Sequence, residues 1–370
     1  MYASRCAGQG VRNNRSMHSN LVIPVLPGDG IGPEITAATL RVLEHLNTKR
    51  SLGLSFETHD VGHAALKKSG TTLPDSVVEA VKSCEGFILG PVDHFSYPAG
   101  AKNPSGGLRI LLDLYANIRP ARSYEGIPHW GRTPMDLVIA RENTEGFYAD
   151  RNMHQGIGEF MPTPDLALSV RKISAQASRR IAKVAFALAK RRKNKVTAVH
   201  KANVLKVTEG LFLREVRAVA AEHEDVAYDE QLVDSMAAML VRDAARFDVV
   251  VTTNMYGDIL SDEAAELSGS LGLAASINAG DAHCMAQAQH GSAPDIAGQD
   301  LANPASLILS AAMLLGWLGG RHNSKALREA QSMLEGTLSA LMRDPATRTR
   351  DLGGKLGTRA FGEAVIKKLD

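Results

Sequence analysis

Several things are scarce in this 370-residue chain, and each absence narrows the reading. Cysteine is nearly missing: Cys6, Cys84 and Cys284 are odd in number and far apart, which argues against a disulfide framework and a thiolate zinc site and suits a reducing compartment. No uninterrupted apolar stretch reaches the ~20 residues that span a bilayer. Neither sign of charge dominates, since 42 Lys and Arg against 40 Asp and Glu leave +2, so nothing global points to nucleic acid or an anionic membrane. The basic run Lys190-Arg191-Arg192-Lys193-Asn194-Lys195 lacks the interleaved aromatics of a nucleic-acid platform and reads as a solvated helix C-terminus, where cations complement the macrodipole. Internal repeats and low-complexity tracts are absent. Residues 1–20 carry Arg5, Arg12 and Arg15 but no acidic residue and no apolar core, which excludes a secretory signal. They read as a disordered leader ahead of a cytoplasmic protein, with a mitochondrial transit peptide as the alternative.

What is present is a globular composition, 44% hydrophobic against 22% charged, long enough for two domains. Strand-like runs at 21–26, 54–58, 86–89, 137–140, 196–199 and 248–252 alternate with helical patterns at 34–46, 74–82, 108–115, 170–190, 209–222, 306–318 and 324–341. That alternation predicts an α/β fold with parallel or mixed sheets flanked by helices. The loop Gly28-Asp29-Gly30-Ile31-Gly32 brings its third glycine one residue too early for G-x-G-x-x-G, so a Rossmann domain is not supported. The loop offers either backbone N–H groups to an anion or a tight turn with Pro33 at the first helical position.

The chemistry begins at Gly257-Asp258-Ile259-Leu260-Ser261-Asp262, where a strand-like run hands over to a helix. Asp258 and Asp262, four apart, share one helix face and repel each other unless a cation sits between them, which suggests a hard divalent metal; helix capping is the plainer alternative. Arg109, Arg119 and Arg141 are guanidinium forks suited to carboxylates, or else surface ion pairs.

The chain resembles the isocitrate and 3-isopropylmalate dehydrogenase family, the metal-dependent β-decarboxylating dehydrogenases, from about Leu21 to Asp370. Six motifs in family order carry the resemblance: 27–34 (PGDGIGPE), 113–120 (DLYANIRP), 141–148 (RENTEGFY), 200–205 (HKANVL), 257–262 (GDILSD) and 290–298 (HGSAPDIAG). The resemblance implies a two-domain fold, 21–114 plus 269–370 forming a cofactor-binding domain and 115–268 a dimerisation and metal/substrate domain. It also implies a homodimer whose sites borrow Lys201 and Asp234 from the partner subunit. Mg²⁺ or Mn²⁺ would be held by Asp234, Asp258 and Asp262, with Lys201 as general base, Tyr148 as proton donor and Arg109, Arg119 and Arg141 clamping the malate carboxylates.

The same resemblance assigns NAD to Ile31, His290, Gly291, Ser292, Ala293, Asp295, Ile296 and Asn303, Asp295 facing the ribose hydroxyl; NADP-using relatives have lysine and tyrosine where Asp295 and Ile296 stand. One departure is the run Gln287-Ala288-Gln289-His290, where the family often has a glutamate and a proline. The segment Lys102-Asn103-Pro104-Ser105-Gly106-Gly107 should face the substrate's 3-substituent. It offers Asn103 and Ser105 in place of the leucines of isopropylmalate enzymes and lacks the arginine of homoisocitrate enzymes. Together these imply an NAD-dependent dehydrogenase of an isocitrate-like substrate, with 3-isopropylmalate or tartrate and 3-alkylmalates as alternatives. A regulatory subunit without metal or base residues is a poorer match, because this chain keeps them all.

Overall fold

The computed structural model describes residues 20–148 and 153–370, so the 1–20 leader lies, apart from Asn20, outside the described residues. In chain order the strands are β1 (Leu21–Leu26), β2 (Leu54–Thr58), β3 (Gly86–Leu89), β4 (Ala116–Arg122), β5 (Asp136–Glu142), β6 (Glu159–Thr163), β7 (Leu166–Ser169), β8 (Lys195–His200), β9 (Ala227–Leu232), β10 (Val249–Thr252), β11 (Ile277–Ala279) and β12 (Cys284–Gln287). The helices are α1 (Gly32–Arg50), α2 (Gly62–Ser69), α3 (Asp75–Lys82), α4 (Pro104–Leu111), α5 (Ala175–Ala189), α6 (Thr208–Ala221), α7 (Val233–Asp243), α8 (Asn254–Ser268), α9 (Ala305–Arg321), α10 (Lys325–Met342) and α11 (Thr358–Leu369).

Ten strands form one sheet in the order β2-β1-β3-β12-β11-β4-β5-β10-β8-β9. Each flank is parallel: β1 pairs with β2 and β3, β3 with β12, β10 with β5 and β8, and β8 with β9. The centre is antiparallel, through β12–β11, β11–β4 and β4–β5. This order differs from the 3-2-1-4-5-6 of a dinucleotide-binding Rossmann sheet, in agreement with the failed glycine spacing. One parallel wing draws its strands from 21–89 and 284–287, the other from 136–252; β11 and β4 are the seam.

Both wings bury Val, Ile and Leu on two faces, as sheets covered by helices require. Val249, Val250 and Val251 of β10 are fully buried, and α9 buries most of its surface because it lies between the sheet, α1 and α10. The expected strands all appear. The expected 34–46 and 306–318 helices run on to Arg50 and Arg321, and two others shifted for reasons visible in the structure. The expected 108–115 helix is α4, begun earlier by the Asn103 cap and Pro104 and ended before Asp113, whose φ of 46° is left-handed. The expected 170–190 helix starts only at Ala175, capped by Ser174, because Lys172 bridges to Gly146 in extended form. Strand β9 escaped the sequence reading because its AYDEQL composition carries no apolar run.

Most of the basic run after α5 is engaged in ion pairs: Arg192 to Asp136 and Asp248, Lys190 to Asp225 and Lys195 to Asp229. Strands β6 and β7 form a separate hairpin, exposed throughout, that displays Phe160, Met161, Leu166 and Leu168. Among the described residues no helix is long and apolar enough to cross a membrane.

Candidate active site

Arg119 and Arg141 lie diagonally across the β4–β5 pair, where Arg119 opposes Ile139 and Arg141 opposes Asn117, so their side chains emerge on one face. Helix α8 crosses that face. It approaches closely because residue 257 is glycine: a Cβ there would stand 2.7 Å from Arg141 Cβ. Asp258 and Asp262 project from α8 one turn apart. The carboxylates meet arginines: Arg141 Nη1 and Arg119 Nη1 both donate to Asp258 Oδ1, the latter at 3.1 Å, and Arg119 also reaches Ser261 Oγ at 2.7 Å and Asp262 Oδ1 at 3.3 Å. Arg141 Nε is held by Asn254 Oδ1 at 2.8 Å, and Gln289 Nε2 donates to Asp262 Oδ1 at 2.8 Å. Tyr148 O–H donates to Asp258 Oδ2 at 2.6 Å and its oxygen accepts from Arg141 Nη2 at 2.8 Å.

Burial dominates the electrostatics of Arg119 and is reinforced by Arg141, so its pKa falls to about 10 despite Asp258 and Asp262. Burial alone would raise Asp258, but Arg141, Arg119 and the Tyr148 hydrogen bond outweigh it and hold the carboxyl below its ordinary value. Burial pushes Tyr148 up, and Asp258 adds to the rise against the pull of Arg141, so the phenol keeps its proton at neutral pH.

Arg109, on α4, reaches the same cleft electrostatically and donates from Nη2 to Gln287 Oε1 at 2.9 Å; the buried Ser105 donates to the same oxygen at 3.1 Å. Asn103 spends its side-chain carbonyl capping α4, accepting from Ser105 N and Gly106 N.

The glycine loop serves as a tight turn. Asp29 N, Ile31 N and Gly32 N bond to Pro91 O, Ser292 O and Asp29 O, respectively, each at 2.8 Å. Gly30, at φ 58°, lets the backbone of Ser292 approach to where a Cβ would be 2.0 Å from its carbonyl oxygen. Ile31 and Ser292 therefore meet. Beyond them His290 Nδ1 contacts Gly291 O at 3.0 Å, its buried Nε2 has no partner among the described residues, and burial lowers its pKa. Ala293 is left-handed, Asp295 is exposed and Ile296 half-buried. Asn303 is engaged internally, accepting from Ala305 N and donating to Asp351.

Lys201, just past β8, bonds Asp234 of α7 at 2.6 Å, which depresses the exposed Asp234 carboxyl. Its backbone N–H is anchored by the fully buried Glu209, itself paired with Arg171, whose guanidinium lies over Phe147 and Tyr256. Within the chain this pair does not join Asp258 and Asp262: among the described residues no three metal-type side chains gather. The sequence reading passed over Asn254, Ser261, Glu209 and the carbonyl role of Gln287. Of these only Gln287 carried a signal, as a departure from the family motif.

Comparison with known proteins gives the class of protein to which this fold belongs. The family model for isocitrate/isopropylmalate dehydrogenase matches residues 22–365, and the chain belongs to that family. It is 40% identical over 352 residues to the 3-isopropylmalate dehydrogenase of Methanothermobacter thermautotrophicus, covering 95% of this chain and 99% of that protein. To the isocitrate/homoisocitrate dehydrogenase of Thermus thermophilus it is 42% identical over 351 residues, covering 94% and 98%. The crystal structure of isocitrate dehydrogenase from Methylococcus capsulatus superposes with a TM-score of 0.84 at 38% identity, covering 94% of this chain and 99% of that one.

Proposed function

We propose that this protein carries out NAD-dependent oxidative decarboxylation of a 3-substituted (R)-malate, isocitrate-like in its substituent, giving the 2-oxo acid, CO₂ and NADH. The observation that carries this reading is the convergence of Arg119, Arg141 and Tyr148 on Asp258, with Arg109 beside them on Gln287. Guanidinium forks bind carboxylates, paired carboxylates attract a hard cation, and a protonated phenol donates a proton.

Mg²⁺ or Mn²⁺ fits the donor set, since Asp258 and Asp262 both retain contact with solvent in the cleft. Bound there, it supplies Lewis acidity toward the substrate's hydroxyl and neighbouring carboxylate. NAD, the hydride acceptor, fits beside Ile31 and Ser292, where His290 Nε2 has no partner among the described residues and the exposed Asp295 can accept from a ribose hydroxyl.

Arg109, Arg119 and Arg141 hold the substrate carboxylates and fix the C2–H direction. Lys201 Nζ removes the 2-hydroxyl proton while hydride leaves C2. The bond to the 3-carboxylate then breaks, releasing CO₂, and Tyr148 delivers a proton to C3 of the remaining enol. Because Lys201 and Asp234 lie apart from Asp258 and Asp262 in the chain, the reading takes them from a second copy. The exposed apolar hairpin β6–β7 and the exposed Val204, Val207 and Ile259 support a homodimer. The two wings are proposed as the two domains, 21–114 with 269–370 and 115–268, in a cytoplasmic enzyme. The polar neighbourhood of Ser105 and Gln287 favours isocitrate over an alkyl-substituted malate.

NADH formation with Mg²⁺ or Mn²⁺ over isocitrate, homoisocitrate, 3-isopropylmalate, tartrate and malate tests the proposal. Turnover greatest with isocitrate is expected. A preference for 3-isopropylmalate or tartrate corrects the substrate, and no turnover with any of the five defeats the reading.

A further inference from the structure

Alternation along β4 sends Ile118, Pro120 and Arg122 to the face opposite Arg119. On that reverse face, at the seam between the wings, lies a cavity of about 400 Å³ that shares no lining residue with the arginine–carboxylate site. Its volume falls within the range of small-molecule pockets. Ile118, Val138, Leu188, Leu273, Leu309 and Met313 give it an apolar wall.

Four charged side chains line it, and they differ in how far they are satisfied. Arg192 is bound to Asp136 at 2.7 Å and to Asp248 at 2.8 Å, which settles Arg192 and Asp136 against each other. Arg122, exposed to solvent, makes no salt bridge of its own among the described residues: Asp136, opposite it on β5, feels its charge but is bound to Arg192, and the Arg122 guanidinium lies over the Tyr124 ring at 5.8 Å. Among the described residues Glu335 accepts only the Gln331 side-chain amide, at 2.7 Å, and makes no salt bridge. Burial drives the Tyr124 phenol up to about 12, with Arg122 pulling it down and Glu335 and Asp136 pushing it up, so the ring feels charges of both signs. The cavity thus presents a cation and a carboxylate that have no salt bridge of their own among the described residues, a phenol that keeps its proton, and an apolar wall.

A purely apolar occupant would desolvate both charges without compensation, an anion would face Glu335, and a cation would face Arg122. A zwitterion with an apolar body satisfies all of them. We propose that this cavity binds an α-amino acid with a branched or aromatic side chain, its carboxylate on Arg122, its ammonium on Glu335 and its side chain on the apolar wall. Neither Arg122 nor Glu335 belongs to the proposed catalytic site, so the inference stands or falls separately from the activity.

Calorimetric titration of the full chain with L-phenylalanine and L-leucine tests it, using 3-phenylpropanoate, 2-phenylethylamine and glycine as probes lacking the ammonium, the carboxylate and the apolar side chain. One saturable site per chain is expected for at least one of the two amino acids. Each truncated probe, and each of Arg122→Met and Glu335→Gln, should weaken binding by about tenfold or more, while both variants keep the melting temperature of the unmodified chain. Absence of binding by both amino acids, truncated probes that bind equally well, or undiminished binding in the two variants would overturn the proposal.

Discussion

Tyr148 donates its phenolic proton to Asp258 Oδ2 at 2.6 Å while the other oxygen of that carboxylate is held by two arginines. A single carboxylate therefore fixes the position of the proposed proton donor and of two substrate-binding cations. Breaking one contact leaves the other two measurable.

Tyr148→Phe removes the donor but keeps the ring that lies 5.5 Å from the Arg141 guanidinium. Overall turnover should fall about 10²-fold or more, while single-turnover NADH formation persists. Lys201→Met should instead abolish the NADH burst. Unchanged steady-state turnover in Tyr148→Phe would remove the tyrosine from its assigned role.

Asp258→Asn takes the counter-charge from two buried guanidiniums. A loss of about 1–3 kcal/mol is expected, less than for a fully buried pair because the carboxylate reaches solvent. Activity should vanish and excess metal should not restore it. Thermal melts and metal titration check both; wild-type turnover of the unmodified enzyme in excess chelator would dispose of the metal.

Burial holds His290 and His200 below the ordinary 6.5 in the folded chain. The unfolded chain therefore takes up protons that the folded one refuses, and stability should drop as pH falls through about 6.5, by up to about 1.4 kcal/mol per pH unit for each histidine, and level off above it. His290→Gln should flatten part of that slope in denaturant titrations. Parallel slopes for variant and unmodified chain would show that His290 is not the group responsible.

Mixing Lys201→Met with Asp258→Asn should restore some activity if each site takes Lys201 from the partner subunit, since a mixed dimer assembles one site with both lesions and one with neither. Mixed dimers that form without recovery would place the whole site in one chain.

Asp295→Lys with Ile296→Tyr should lower kcat/KM for NAD and raise it for NADP, by removing the ribose acceptor and supplying phosphate donors. The unmodified enzyme should prefer NAD by about tenfold or more, since like charges juxtaposed across a binding site disfavour the wrong partner. Equal use of both cofactors before mutation would place the 290–303 loop away from the ribose.

Much of the fold was readable because its signals are local. The β-branched run at 249–252 and the proline start of α1 depend on near neighbours in sequence. What escaped depends on distant partners. Strand β9 is a polar edge strand whose register is set by β8, and β11 has only three residues between two other strands. At the site, the repulsion of Asp258 and Asp262 was legible from their spacing, whereas its relief within the chain by Arg119 and Arg141 needed the β4–β5 diagonal. The capping use of Asn103 was hidden because a cap and a ligand contact use the same residue type.

The seam also bears on biosynthesis. The wing from 136–252 is contiguous and has all its strands once the chain reaches β10, but β3 acquires its neighbour β12 only when Cys284–Gln287 has been made. Until then the fully buried GFIL of β3 has an open strand edge, while nearly two hundred residues are still being added. Such an edge invites pairing with other chains. Truncations that end before β12 should therefore aggregate through the first wing even where the second has already folded, so the C-terminal third of the chain shields its N-terminus from misassembly.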